Sequence, residues 1–230
     1  MTDIRPYLAE AIATFALVFI GAGAILAGND LVGVALAHGL VLMAMIYAIA
    51  HVSGAHINPA VTISMLVTRN IGAAKAVLYI ISQLIGAGVA GFFLKAIFTG
   101  APASLNLGAT ALGSGVSFGT GILVEAILTF FLVFVIFGAA VDKRAPAGFY
   151  GLAIGLVLTL DILTGGPLTG AAMNPARAFG PALAAGFWAN HLVYWIGPIV
   201  GGIVAALIYN GLLLEKQASF PAAAAKKGRK

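Results

Sequence analysis

The chain has very little charge, since only 8% of its 230 residues are Asp, Glu, Lys or Arg. A soluble domain carries about 25% of these residues to keep its surface hydrated. So few charges cannot cover a soluble fold of this length, and 61% of the residues are hydrophobic. Lipid is therefore the expected solvent for most of the surface, and the bilayer is the first expected partner.

Cysteine is absent altogether. Its absence excludes disulfides, thiolate metal sites and cysteine nucleophiles. Four histidines without an acidic cluster do not form a metal site, and no nucleophile–base pair stands out. We therefore expect neither an enzyme nor a bound cofactor.

The excess of basic residues gives a formal net charge of +5. Such an excess can indicate nucleic-acid binding, but here the basic residues are not interleaved with aromatic residues. Most of them lie in short clusters beside apolar runs or in the C-terminal tail, residues 214–230. This distribution is typical of a membrane flank, so no nucleic-acid partner is expected.

Apolar runs long enough to cross a bilayer occur six times. A helix needs about 20 apolar residues for this, and the runs lie near 7–27, 31–50, 75–97, 118–140, 148–164 and 190–213. Two further stretches, about 58–67 and 174–184, are long enough for only half a bilayer. The pattern predicts an all-α membrane protein with one domain over 1–230, made of six transmembrane helices and two re-entrant half-helices.

The positions of Lys and Arg predict the orientation. Ten of the twelve basic residues fall on the side of the termini, and only Lys95 and Arg177 fall on the other side. By the positive-inside rule, both termini are then cytoplasmic. The compact loops and the lack of a cleavable leader pattern favour a prokaryotic inner (plasma) membrane.

The two halves of the chain repeat each other. Three segments recur at an offset of 115 or 116 residues, namely EAIATFALVF from Glu10 and EAILTFFLVF from Glu125, SGAHINPA (53–60) and TGAAMNPA (169–176), and YIISQLIGAGVA (79–90) and YWIGPIVGGIVA (194–205). The first repeat covers about 7–98 and the second about 118–213. Because each holds three spans, the repeats insert with opposite orientation, which points to a central pathway.

Each repeat contains an Asn-Pro-Ala box at the start of its short stretch, Asn58-Pro59-Ala60 in the first and Asn174-Pro175-Ala176 in the second. Asn is a favoured N-cap and Pro is favoured at the first helical position, so each box starts a half-helix. Inverted symmetry brings these positive helix ends together near the membrane centre, where they repel cations. The two carboxamides would offer N–H donors to a passing polar molecule.

With its two boxes, in SGAHINPAVT and GAAMNPARAFGP, the chain resembles the aquaporins of the major intrinsic protein family over essentially its full length. The resemblance implies an aquaporin-like right-handed bundle with one pore per subunit, a homotetramer, and passive transport of water.

The resemblance also implies a selectivity filter, carried over by spacing from the two Asn residues. Its four positions are His38, Ile162, Ala171 and Arg177. The set is similar to the filter of plant tonoplast intrinsic proteins, as is the loop GGPLTGAAMNPARAFGPA, so a vacuolar membrane stays open as the location. A somewhat wide water pore that also passes ammonia or other small neutral solutes is implied. Some tonoplast members have a filter histidine in the third loop; here that loop, ASLNLGATALGSG, has none.

Ionisable groups inside apolar helices are functional candidates. Glu10 and Glu125 occupy equivalent places in the repeats. This symmetry favours a structural role, in which they accept hydrogen bonds from loop N–H groups, over a role as proton relays. Asp161 points about 100° away from Ile162 on a helix. We expect it to hydrogen-bond loop backbone and support the filter, or to line the pore. His56 is expected to line the pore on the cytoplasmic side, and His51 to pack between helices.

Four functions remain in competition. A passive water channel leads, followed by a channel for ammonia or small neutral solutes. A proton-coupled secondary transporter would use the buried acids. An adhesive membrane protein with a vestigial pore would need a sealed filter, which these four residues do not provide.

Overall fold

The computed structural model of the chain describes residues 3–214. The basic tail predicted at 214–230 lies, apart from Leu214, outside the described residues.

The described chain is helical and contains eight α-helices, and the longest connection between them spans residues 98–117. Their bounds are α1 Arg5–Leu26, α2 Leu31–Ser53, α3 Pro59–Val67, α4 Ala73–Ile97, α5 Phe118–Ile136, α6 Tyr150–Thr169, α7 Pro175–Ala185 and α8 Val193–Ile208. Helices α5 and α8 each continue into a π-helical turn, Phe137–Val141 and Tyr209–Leu213. Six helices are long and apolar enough to cross a membrane, and α3 and α7 are the two short ones.

Helix α6 is longer than the sequence predicts, because it ends at Thr169 rather than near 164. It continues through Pro167, which lies in its last turn. Gly170 ends the helix in the left-handed conformation, with φ of 78°, as is common for a glycine after a helix C-terminus.

Close helix packing depends on glycines at equivalent places in the two repeats. A Cβ on Gly86 of α4 would collide with the carbonyl oxygen of Ala11 on α1. A Cβ on Gly201 of α8 would collide in the same way with Ala126 on α5. Small residues let membrane helices approach closely, so α1–α4 and α5–α8 are tightly packed pairs related by the repeat.

The half-helices exchange partners between the repeats. Helix α3 packs against α8, and α7 packs against α4. Helices α2 and α6 meet where Gly39 faces Gly155 and Thr159. This interlocking brings the starts of α3 and α7 together inside the bundle, and large apolar side chains such as Phe92, Leu123 and Leu160 cover the outside.

Candidate functional site

A cavity of about 420 Å³ runs between the helices and is lined by both repeats. Its walls include the four predicted filter residues and both box asparagines: His38, Asn58, Ile162, Ala171, Asn174 and Arg177. His56 also lines it, whereas Asp161 does not. The four filter residues and the two box asparagines therefore meet around one space, although they come from α2, α6 and the two re-entrant segments.

The two asparagines cap the half-helices and also tie them together. Asn58 caps α3, and its Oδ1 accepts from the N–H of Ala60 at 2.8 Å. Its Nδ2 donates to the carbonyl of Met173 at 2.8 Å. In return, Nδ2 of Asn174 donates to the carbonyl of Ile57 at 3.0 Å. Each repeat thus holds the loop of the other.

These contacts also fix how each carboxamide is oriented. Oδ1 of Asn174 accepts from the N–H groups of Ala176 and Arg177, so the oxygen faces the helix and the nitrogen faces away from it. A carboxamide nitrogen has two N–H groups. One is used by the opposite loop, which leaves one on each asparagine for a molecule in the cavity.

The loops before the boxes contain matched left-handed residues. In the first repeat these are Ala55 and Ile57, with φ of 52° and 57°. In the second they are Ala171 and Met173, with φ of 45° and 51°. Non-glycine residues rarely adopt this conformation, and it persists where the surroundings enforce it. Here the enforcing contacts come from two buried carboxylates.

Glu10 supports the first loop with four accepted hydrogen bonds. Its Oε1 accepts from the Ser53 hydroxyl at 2.7 Å and the His56 N–H at 2.9 Å. Its Oε2 accepts from the Ile57 N–H at 2.6 Å and the Gln83 amide at 2.8 Å. These donors compensate the cost of burying the carboxylate.

Glu125 supports the second loop in the same way but with three donors. They are the Thr169 hydroxyl at 2.6 Å and the N–H groups of Ala172 and Met173 at 2.9 and 2.7 Å. The repeat places Pro198 where the first half has Gln83, so the fourth donor is missing. Both carboxylates hold the loops, and neither lines the cavity, which disfavours a proton relay.

His38 and Arg177 form a hydrogen-bonded pair in the cavity wall. Nδ1 of His38 lies 2.8 Å from the carbonyl of Val34, so this nitrogen carries the proton. Nε2 then accepts from Nε of Arg177 at 3.3 Å. Both side chains are buried. The two contacts hold the neutral imidazole in the tautomer that carries its proton on Nδ1.

Arg177 has a second partner that the sequence did not indicate. Its Nη1 donates to the carbonyl of Gly108 at 3.1 Å. Arginine has five N–H groups, and two are used by His38 and Gly108, so three remain for molecules in the cavity. A backbone carbonyl leaves no residue-type signal, and only the proximity of a loop reveals it.

His56 is tethered beside the first box. Its Nδ1 lies 3.1 Å from Oγ1 of Thr62. That hydroxyl donates to the carbonyl of Asn58 and accepts from Gln83, so His56 serves as the donor. Its ring packs edge-on against Tyr79, with centroids 5.2 Å apart.

Asp161 does not make the hydrogen bond expected of it. Its side chain is 6% exposed, and Oδ2 has no hydrogen-bond partner among the described residues. On α6 it lies one turn before Gly165, which packs on Leu128 of α5. The structure therefore shows neither the expected hydrogen bond from Asp161 to loop backbone nor a place for its side chain in the cavity wall.

His51 differs from expectation too, because it is exposed and lines the cavity instead of packing between helices. Among residues 3–214, no three His, Asp or Glu side chains are arranged to hold a metal ion.

The sequence is similar to known proteins over most of its length. The sequence model of the family described as "Major intrinsic protein" matches residues 1–209. Aquaporin TIP4-4 of Zea mays is 45% identical over 225 residues, which cover 93% of this chain and 88% of the relative. The probable aquaporin TIP3-2 of Arabidopsis thaliana is 45% identical over 231 residues, covering 92% and 85%.

A solved structure matches the fold as well. The X-ray structure of the aquaglyceroporin from Plasmodium falciparum superposes with a TM-score of 0.79 and 28% sequence identity. The match covers 91% of this chain and 96% of that one.

Proposed function

The chain belongs to the major intrinsic protein family, and from this premise we propose that it is a passive water channel filtered by His38, Ile162, Ala171 and Arg177. The coarser statement follows from its relatives, which are aquaporins: it is an integral, multi-pass membrane channel of the aquaporin type and not an enzyme. The observation that carries the finer proposal is the pairing of Arg177 with His38 in the cavity wall.

The filter proposal rests on how polar and apolar groups are divided around the cavity. Arg177 and His38 supply the polar side, with three free N–H groups on the guanidinium. Ile162 and Ala171 supply an apolar side without hydrogen-bonding side chains. A water molecule entering here meets donors on one side only, which supports permeation in single file.

Cation and proton exclusion is proposed at the paired box asparagines. The starts of α3 and α7 point into the same region, and each helix start carries about half a positive charge. The free N–H groups of Asn58 and Asn174 bind the oxygen of a passing water. That water then cannot also accept from its neighbours, which breaks a proton-conducting chain.

Ammonia or another small neutral solute is the second candidate. The small Ala171 and the aliphatic Ile162 leave more room than a larger aromatic pair, which favours a pore wider than water alone requires. Against a proton-coupled transporter, Glu10 and Glu125 are both bound by loop donors. An adhesive role with a sealed pore is disfavoured by the open cavity.

The membrane and the assembly are also proposals. The distribution of basic residues supports cytoplasmic termini. Short loops favour a prokaryotic plasma membrane, whereas the similarity to plant TIP aquaporins favours a vacuolar membrane; imaging of a tagged chain in its own cells distinguishes them. A homotetramer is implied by the family, and chemical cross-linking of the purified protein tests it.

Proteoliposomes test the transport proposal. Osmotic water permeability is measured by stopped flow, and ionic current is measured with the same protein in planar bilayers. A passive channel gives water flux that is independent of voltage and of a proton gradient, without current. Flux that follows the proton gradient would instead support a transporter, and ammonia flux above that of empty vesicles would add the second candidate.

A further inference from the structure

An apolar groove of about 380 Å³ lies on the outside of the bundle, between α4 and α7. Helix α4 forms one wall, from Ile81 to Phe92, and Phe179 and Leu183 of α7 form the other. The groove is separate from the filter cavity and is lined by different residues. Its lining side chains carry no hydrogen-bonding group, so the groove suits a hydrocarbon chain and not a polar solute.

The groove is about as long as one leaflet of the bilayer is thick. Ile81 and Phe92 are separated by about 16 Å along α4, at 1.5 Å per residue, and the hydrocarbon core of a bilayer is about 30 Å thick. Helix α7 starts at the second Asn-Pro-Ala box and ends at Ala185. The groove therefore lies in the leaflet in which α7 ends.

Gly88 of α4 gives the groove its depth. A Cβ on Gly88 would lie 3.5 Å from Cδ2 of Leu183 and 4.0 Å from Cε1 of Phe179. A larger side chain would therefore enter the space between the two walls. The repeat places Ile203 of α8 at the position equivalent to Gly88, so the opening is particular to α4 and does not follow from the internal symmetry.

A cation stands at the outer end of the groove. Lys95 lies about one turn beyond Phe92 on α4, and its Nζ donates to the carbonyl of Ala184 on α7 at 2.9 Å. Lys95 thus bridges the two helices that form the walls. An ammonium group has three N–H donors, and this residue is exposed, so two donors remain for an anion at the mouth of the groove.

Trp188 marks the same end of the groove as the level of the lipid headgroups. Its ring centroid lies 6.0 Å from that of Phe179, which lines the groove. The side chain is exposed, and exposed tryptophan is enriched where a membrane protein meets the headgroups. A positive charge and an interfacial tryptophan therefore stand together above a groove suited to hydrocarbon.

We propose that this groove is a binding site for an anionic phospholipid, with one acyl chain lying along Gly88 between α4 and α7 and the phosphate at Lys95. Lys95 and Arg177 are the basic residues predicted on this side of the membrane, and Arg177 is buried. Lys95 therefore supplies the attraction for the headgroup. The site is additional to the proposed transport function and does not depend on it.

Fluorescence quenching by brominated lipids tests the proposal with the full-length chain. The chain has two tryptophans, and Trp195→Phe leaves Trp188 as the reporter beside the groove. Quenching of Trp188 in mixed bilayers gives the binding of phosphatidylglycerol relative to phosphatidylcholine. Phosphatidylglycerol should bind about fivefold more strongly, the scale of one lysine at a membrane surface.

Lys95→Gln separates lipid binding from a structural role of Lys95. Glutamine keeps an N–H donor for the Ala184 carbonyl but removes the charge. In the same reporter background, the preference for phosphatidylglycerol should fall about fivefold, so that the two lipids bind equally. Lys95→Arg keeps the charge and should keep the preference.

Gly88→Ile tests the acyl chain, because it places the side chain of Ile203 into the groove. It should reduce the quenching of Trp188 by chain-brominated phosphatidylglycerol and remove the preference for this lipid. Gly119→Ile is the matched control, since nothing lies within 4 Å of a Cβ added on Gly119 of α5, and it should change neither. If Gly88→Ile does not fold, Gly88→Ala replaces it with a smaller effect.

Three results would overturn the site. Equal binding of the two lipids by the reporter chain would show that no anionic lipid is selected. A preference that survives Lys95→Gln would assign the selection to another group. A preference that is lost in Lys95→Gln but unchanged in Gly88→Ile would show attraction of a headgroup without a bound acyl chain.

Discussion

Nε of Arg177 donates a hydrogen bond to Nε2 of His38 at 3.3 Å, joining two residues that lie 139 positions apart in different repeats. The other nitrogen of His38 is held by the carbonyl of Val34. The polar side of the cavity is therefore one connected unit, and a change to either residue alters what the other presents to a permeating molecule.

The first prediction concerns the space behind His38. A Cβ on Gly21 of α1 would collide with the imidazole ring. Gly21→Ala should push the ring into the cavity, weaken its bond to Arg177 and lower water permeability per protein severalfold. Overpacking should also lower the free energy of unfolding by about 1–3 kcal/mol.

Stopped-flow permeability and thermal unfolding check this prediction. Gly119→Ala in α5 is the control, because nothing lies within 4 Å of the added methyl group. Equal permeability of the Gly21 and Gly119 variants would show that the ring position does not limit water flow.

A second prediction concerns the fourth donor to Glu10. Gln83→Leu leaves the carboxylate with three donors, the number that Glu125 has, and also removes the hydrogen bond from Gln83 to the Thr62 hydroxyl. Losing this buried contact should lower the free energy of unfolding by about 1–3 kcal/mol. Denaturation in detergent measures it, with Ser82→Ala as an exposed neighbour whose hydroxyl bonds only to its own helix. A loss as small as that of Ser82→Ala would mean that Gln83 does not contribute to holding the loop.

A third prediction follows from the unpaired carboxyl of Asp161. Because Oδ2 is buried without a partner, Asp161→Leu should raise the free energy of unfolding by about 1–3 kcal/mol. Water and urea permeabilities should stay the same, since Asp161 does not line the cavity. Reduced stability or a changed permeability ratio would reveal a partner or a filter role for this side chain.

A fourth prediction is a pH dependence at His191. Burial lowers the pKa of His191 below its ordinary value of 6.5, and Nε2 accepts from the indole N–H of Trp195 at 3.1 Å. The unfolded chain takes up this proton first as the pH falls, so the stability associated with neutral His191 is present above about pH 6.5 and decreases below it.

Tryptophan fluorescence and thermal unfolding between about pH 5 and 8 follow this change. His191→Gln should flatten that part of the profile. A profile that is the same in the variant and the native chain would assign the pH dependence to another group.

The sequence predicts the repeated parts of the site well, for physical reasons. Asn58 and Asn174 are recognisable because capping needs a particular residue type next to proline, and this signal recurs at the repeat offset. Glu10 and Glu125 are recognisable because a carboxylate in an apolar helix needs donors, and a loop supplies them at each place.

Other parts depend on contacts that leave no pattern. Gly108 acts through a backbone carbonyl, and its position follows from how one loop docks on α1. The angle between Asp161 and Ile162 on α6 likewise suggests a loop contact, but Oδ2 of Asp161 is buried without a partner among the described residues. The end of α6 at Thr169 is set by Gly170 and not by the end of the apolar run, so the apolar run alone predicts too early an end.

The most direct measurement of the central claim is a set of stopped-flow permeabilities for water, ammonia, urea and glycerol, with native protein and His38→Phe in proteoliposomes. The native chain should pass water, and His38 and Arg177 are proposed to set the width of its filter. The bulkier phenyl ring should then raise the ratio of water permeability to that of each larger solute. Unchanged ratios in His38→Phe would contradict the assignment of the filter to these residues.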